Sequence, residues 1–239
     1  MFNRNKIKKG KPKQFKLQTK LFLIYIIFSE TIVLSFALFF YQYMAGTLIN
    51  NKIDALHNLN SGFIAQVDSM LEDLDYVSAN INYSNRVIDK LSIAYDMPFT
   101  NTRIQDLAEL LATINGTDLK SHQINIYDLK GNVARVGMVT NTKTVDLQSL
   151  DWFKEAIALN GLKYISVPYQ SSAYSYTSSE DWYISLYRAF KSPFGETIGA
   201  IETVKRCNSI FKSILSYERK ENGGVKTYIF NGDGVLIYP

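Results

Sequence analysis

The longest apolar run in the chain is Leu21 to Met44, 24 residues with one formal charge, Glu30. A helix of that length, rising roughly 1.5 Å per residue, spans about 30 Å of hydrocarbon with some tilt. The pattern therefore predicts a transmembrane helix over 21–44. A cleaved leader is the rival reading, but leaders have apolar cores of only about 7–15 residues and end at a small-residue cleavage site. This run is longer, Tyr41 and Tyr43 form an aromatic edge, and Ala45-Gly46 is a poor cleavage signal, all of which favour an uncleaved anchor. Glu30 is then either a protonated side chain tolerated in lipid or a contact with a second transmembrane helix.

From Gly46 to about Tyr95 the pattern is helical. Ile49, Ile53, Leu56, Phe63, Val67, Met70, Leu74, Val77 and Ile81 recur at steps of four and three, interrupted only at Asn60. This is an a/d stripe and predicts a stalk helix within the segment 45–98, closed by Asp96-Met97-Pro98. Two readings of the stripe stay open. It can pack on its own domain, or it can pair with a second subunit as a homodimer, and one helix has room for both. A shorter helix is expected over Thr102–Ile114, stopped by Asn115-Gly116.

The period then changes to two. Gln123–Tyr127, the turn Asp128-Leu129-Lys130-Gly131 and Asn132–Val136 predict a hairpin. Near the end Thr227–Phe230, Asn231-Gly232-Asp233-Gly234 and Val235–Tyr238 repeat that design, as a duplicated α+β module would. Between the hairpins the pattern gives a helix over Asp146–Asn160, strands over Tyr164–Val167, Trp182–Phe190 and Thr197–Val204, and a helix over Arg206–Glu218. Residues 170–181 read as a polar, Tyr-bearing loop. The apolar strand pattern at the end predicts that the gene continues beyond Pro239.

Charge sharpens this layout. Residues 1–20 hold Arg4, seven lysines and no acid, which by the positive-inside rule makes them a cytoplasmic tail, suited to anionic head groups, with 45–239 extracytoplasmic. Beyond Met44, 18 basic residues face 21 acidic ones, a net charge of −3. The overall surplus of +4 therefore reports the tail, and a nucleic-acid partner is not expected. The single cysteine, Cys207, rules out an internal disulfide, so the outer region must be held by its core.

No catalytic constellation is legible. Two histidines and one cysteine make a zinc site or a Cys-His pair an unpromising reading, and no P-loop or GxSxG occurs. Aromatics are the stronger signal, because rings with polar tips suit a small-ligand pocket. The candidate ligand-binding residues are Trp152, Tyr169, Tyr183, Arg188 and Glu202. On the strand Trp182–Phe190, Tyr183, Ser185 and Tyr187 share one face, and Ile184, Leu186 and Arg188 the other. Arg188 could meet a ligand carboxylate and Glu202 an amine. The plainer alternative makes the rings core and Arg188–Glu202 a cross-strand pair.

Residues 46–239 resemble the double Cache domain, a tandem PAS-like sensor domain of bacterial receptors. The resemblance rests on the long helix leaving the membrane, on Ile-Tyr-Asp-Leu-Lys-Gly-Asn-Val at 126–133, and on Asp-Trp-Phe-Lys-Glu-Ala at 151–156. It rests further on Gly-Glu-Thr-Ile-Gly-Ala-Ile-Glu at 195–202 and on Tyr-Ile-Phe-Asn-Gly-Asp-Gly at 228–234. It implies an α+β fold: a transmembrane helix, a stalk helix, and a PAS-like antiparallel sheet with flanking helices over 99–220. A second, truncated Cache subdomain would begin at 221–239. With the basic tail and anchor, the chain looks most like sensor histidine kinases of the YesM type. The resemblance then implies a small-molecule ligand here, and beyond Pro239 a kinase domain that would use ATP and Mg and phosphorylate a response regulator. No cofactor is expected in this region. In amino-acid-binding members of the family an Arg precedes a Trp-Tyr pair by two residues. Leu150 and Phe153 depart from that pattern, so Trp152, Tyr169 and Glu202 are the matching positions. A chemotaxis receptor, a cyclic-dinucleotide enzyme and a non-signalling anchored module are the alternative outputs.

Overall fold

Helix α1 runs unbroken over Leu17–Asn82, 66 residues, in a computed structural model that describes residues 16–96, 101–137, 145–171, 181–220, 224, 226–232 and 234–238. The chain divides into two units, Met1–Asn60 and Ser61–Pro239. The first is helical where described. Its apolar side chains from Leu21 to Met44 are exposed apart from half-buried Ile26, and α1 is long and apolar enough to cross a membrane. Thr31 and Ser35 return their hydroxyl protons to the carbonyls of Ile27 and Thr31, at 2.7 and 2.8 Å, so neither presents a free donor there.

The second unit is built on a six-stranded antiparallel sheet. Its strands are β1 (Gln123–Asp128), β2 (Val133–Gly137), β3 (Tyr164–Ile165), β4 (Tyr169–Gln170), β5 (Trp182–Lys191) and β6 (Thr197–Arg206). The spatial order is β2-β1-β6-β5-β3, with β4 also on β5. The two long strands β5 and β6 form one hairpin, and β6 pairs in turn with β1 through Asn125 opposite Glu202. Gly199 permits that last pairing, because a Cβ there would lie 2.0 Å from the carbonyl oxygen of Tyr127.

The two faces of the sheet carry different layers. On one lie the end of α1, α2 (Asn85–Asp96) and α3 (Asn101–Asn115), whose Val77, Ile81, Val87 and Leu111 pack with Ile124, Ile126, Phe190 and Ile201. On the other lies α4 (Asp151–Ala158), preceded by a single 3-10 turn at Leu147–Ser149 whose N-cap is Asp146. Phe153 of α4 packs with Tyr127, Val133 and Ala200. A third cluster joins α5 (Cys207–Ile210) and α6 (Lys212–Lys220) to Ile184. Phe63, Val67 and Met70 of α1 pack against it.

The a/d stripe of α1 thus has two fates. Its later part, from Phe63 to Ile81, packs within the chain, whereas Ile49, Ile53 and Leu56 are more than half exposed. The helix expected to reach Tyr95 is instead interrupted at Tyr83-Ser84, and α2 restarts at Asn85. The helix expected over Asp146–Asn160 is likewise split, with Leu150 in extended conformation (φ −94°, ψ 121°).

The final hairpin, β7 (Ile229–Phe230) with β8 (Leu236–Tyr238), turns as the β1–β2 hairpin does. Gly131 N–H donates to Asp128 O and Gly234 N–H to Asn231 O, each at 3.0 Å. Both glycines are left-handed, at φ +82° and +77°, where a side chain is strained.

Candidate ligand-binding cavity

Alternation on three paired strands gathers the polar groups on the α4 side of the sheet. Glu202 on β6 stands opposite Tyr187 on β5 and Asn125 on β1. Its carboxylate is 2% exposed and is held by neutral donors. Oε2 accepts from Asn125 Nδ2 at 2.7 Å and from the Tyr127 hydroxyl at 2.6 Å. Oε1 accepts from Ser185 Oγ at 2.9 Å and from the Tyr169 hydroxyl at 3.3 Å. The Tyr169 and Ser185 oxygens lie 2.6 Å apart. Two donors per oxygen meet most of a carboxylate's accepting capacity, which is what permits its burial.

Over this floor lies a cavity of 390 Å³, walled by Trp152, Tyr164, Tyr169, Tyr187 and Tyr127. Trp152 stacks on Tyr187 with centroids 4.3 Å apart and planes 14° from parallel, and Tyr127 tilts against it at 5.3 Å. The Tyr169 hydroxyl is held well above the ordinary phenol range. Burial is the main cause, with the nearby Glu202 charge second. It therefore stays a protonated donor toward Glu202. Aromatic faces around a buried carboxylate form an electronegative recess, suited to a cationic amine with an apolar body.

Of the five candidate residues, the structure brings Trp152, Tyr169 and Glu202 to this cavity. Tyr183 is fully buried, with its ring between those of Tyr169 and His122, and does not line it. Arg188 lies on the opposite face. It reaches Asp75 of α1, Ser78 Oγ at 3.2 Å and the Gly161 carbonyl at 2.6 Å. Arg188 stands opposite Ile201, not Glu202, so the expected cross-strand pair is not made, and the arginine meets α1 rather than the cavity. The placement follows from period two: residues 187 and 188 must point to opposite faces.

Asn125 and Tyr127 escaped the sequence reading. Their signal is an i, i+2 pair on β1, but it gains meaning only once β1 is known to lie beside β6. Most of the polar loop expected over 170–181 falls outside the described residues. Among the described residues, no group of three or more His, Cys, Asp or Glu converges as metal ligands would.

No family profile matches the chain, and no curated protein matches it at a significant level. Solved structures do. The extracellular domain of vpHK1S-Z8, described as a histidine kinase, superposes with a TM-score of 0.51 at 12% identity, covering 67% of this chain and 58% of that one. The ligand-binding domain of the Pseudomonas aeruginosa PAO1 amino acid chemoreceptor PctC, in complex with GABA, gives 0.53 at 9% identity over 77% of this chain and 74% of that one. A domain of a sensory box/GGDEF family protein from Vibrio parahaemolyticus gives 0.50 at 13% identity over 67% and 62%. The chain thus spans a little over half the length of the first of these. The fold is that of extracellular sensor domains: α+β, with a long N-terminal apolar helix and an antiparallel sheet.

Proposed function

We propose that the chain is a membrane-anchored extracytoplasmic sensor region that takes a small amine-bearing ligand in the Glu202 cavity. The observation that carries this reading is the buried Glu202 carboxylate under the Trp152–Tyr187 stack. The PctC domain of like fold is described with GABA, a small molecule with an amine, and that supports the ligand class. Trp152, Tyr169 and Glu202 are the residues assigned to the ligand. Arg188 is assigned to coupling.

The output follows from strand β5. Tyr187 faces the cavity and the next residue, Arg188, holds Asp75 on α1. A ligand that shifts β5 would bias α1, and α1 would carry that bias through the anchor to a cytoplasmic N-terminus. The finer reading is a YesM-type sensor histidine kinase, homodimeric through the stalk, with the kinase and its response regulator engaged beyond this region. The likeness in fold to the extracellular domain of a histidine kinase supports that choice. The chemoreceptor and GGDEF neighbours are the ground for the alternative outputs.

Thermal denaturation of the full chain in detergent, against amines, zwitterionic amino acids, sugars and carboxylates, tests the reading. A ligand at about a hundred times its Kd adds about 2.7 kcal/mol, which raises Tm by roughly 5–10 °C in a domain of this size. The expected result is such a shift with an amine-bearing compound, lost in Glu202→Gln and Trp152→Ala. Stabilisation by no class, or stabilisation kept in both variants, overturns it.

A further inference from the structure

We propose that the Glu202 cavity selects ammonium ligands that carry no carboxylate, so that its ligand class is the simple organic amine and not the zwitterionic amino acid. The inference rests on the amine reading above and narrows it.

The lining carries one formal charge. Among the described residues Glu202 is its only Asp or Glu, and no lysine, arginine or histidine joins it. The segment 164–187, which supplies the rim from Tyr164 to Ser171 and most of β5, has no basic residue in its sequence and two acidic ones, Glu180 and Asp181. Cations do occur on and beside this sheet, but they meet α1 instead. Lys163 and Arg188 are held by Asp75, and Lys205 is held by Asp73 at 3.0 Å. Period two makes the strand cations do so, since 188 and 205 point away from the face that 187 and 202 share. Asp73 and Asp75 thus draw the nearby basic side chains to the far side of the sheet.

Glu202 keeps its charge in play. Its four donors, Asn125, Tyr127, Ser185 and Tyr169, are neutral, so they satisfy its oxygens without cancelling the charge. The rings of Trp152, Tyr127 and Tyr164 carry partial negative charge on their faces, which attracts an ammonium and repels a carboxylate. Ser166, Gln170 and Ser171, also in the lining, serve a ligand hydroxyl as well as a carboxylate, so they do not reverse the sign of the field. Coulomb energy falls as the inverse of distance. A carboxylate about half again as far from Glu202 as the ligand's ammonium therefore cancels about two thirds of the attraction.

Calorimetric titration of the full chain in a non-ionic detergent tests the proposal with pairs that differ only in the carboxylate. Phenethylamine is expected to bind about tenfold more tightly than phenylalanine, and isoamylamine about tenfold more tightly than leucine. Phenylalaninol, which puts a hydroxymethyl group where phenylalanine has its carboxylate, is expected to stay within about threefold of phenethylamine. Glu202→Gln is expected to weaken phenethylamine about tenfold and to cut its advantage over phenylalanine to about threefold or less. If the amino acids match the amines, this proposal falls and the amine reading stands. If neither amine gives saturable heat up to about 20 mM, far above the range of useful weak binding, both fall. Phenylalaninol as weak as phenylalanine would place the exclusion in shape and overturn the proposal, as would a preference that survives intact in Glu202→Gln. The ligand comparisons need no substitution, so they decide the matter even if that variant does not fold.

Discussion

Asp75 on α1 and Arg188 on β5 are ion-paired across the helix–sheet interface, and Lys163, from the turn before β3, reaches the same carboxylate at 2.7 Å. Asp75 is therefore a junction. One cation comes from the strand whose other face holds Tyr187, and the second lies one residue before Tyr164 on the cavity wall. Arg188 is 8% exposed, so losing its partner strands a buried charge, and this dominates over the exposed Lys163 pair. Asp75→Asn is expected to lower stability by about 2–3 kcal/mol, read as a lower urea midpoint with an unchanged m-value. A cost near zero would show that the junction is screened by water.

Glu202 supports a separate prediction, because its four donors lie on three strands. Glu202→Gln keeps the shape but replaces one acceptor oxygen with an NH₂ that faces donors. A destabilisation of about 1–3 kcal/mol is expected, measured by chemical denaturation without ligand. Tyr127→Phe, which removes only one donor, should cost less. An equal cost in the two variants would place the energy in the Tyr127 contact alone.

Much of this architecture is legible in the sequence, and its gaps have physical causes. Period-two alternation locates β1, β5 and β6, and the Asp128–Gly131 and Asn231–Gly234 turns can be read from residue type, because only a left-handed glycine closes them cheaply. Strand order is not local information, so the meeting of Asn125 and Tyr127 with Glu202 was hidden. Arg188 shows the converse. Its face was readable from alternation, but its partner Asp75 is more than a hundred residues away, on a helix whose stripe fits internal packing and pairing equally well. The break at Tyr83-Ser84 also lacked a signal, since neither Pro nor Gly marks it.

The exposed beginning of the α1 stripe leads to a third prediction. Ile49, Ile53 and Leu56 are uncovered, whereas Phe63, Val67 and Met70 are half-buried against the chain's own helices and Leu74, Val77 and Ile81 are buried. If the stalk pairs with a second copy as a two-stranded coil, these a/d positions face each other across the axis. Ile53→Cys in the full chain in membranes is expected to form a disulfide-linked dimer under mild oxidation, whereas Lys52→Cys, off the stripe, forms far less. Cys207 is buried and should contribute no background. Equal cross-linking at 52 and 53 would indicate random collision instead of a stripe.

Cys207 gives a pH prediction whose sign follows from its surroundings. The thiol lies among Ile184, Ile210, Phe211 and Ile214, and burial pushes it from its ordinary value of 9.0 up to about 12. Folding therefore favours the protonated thiol. Above pH 9 the unfolded chain releases this proton while the folded chain keeps it, so the unfolded state gains and stability falls. The contribution is fully present below about pH 9 and is lost as pH rises toward about 12. Tyr169, raised in the same direction by burial and by Glu202, adds to the loss at the alkaline end of that window. Cys207→Ala removes the thiol's share. It costs packing at neutral pH, about 1 kcal/mol, but its stability should fall less steeply than that of the unsubstituted chain between pH 9 and 11. Urea titrations of both proteins across that range check this, and parallel curves would place the alkaline sensitivity elsewhere.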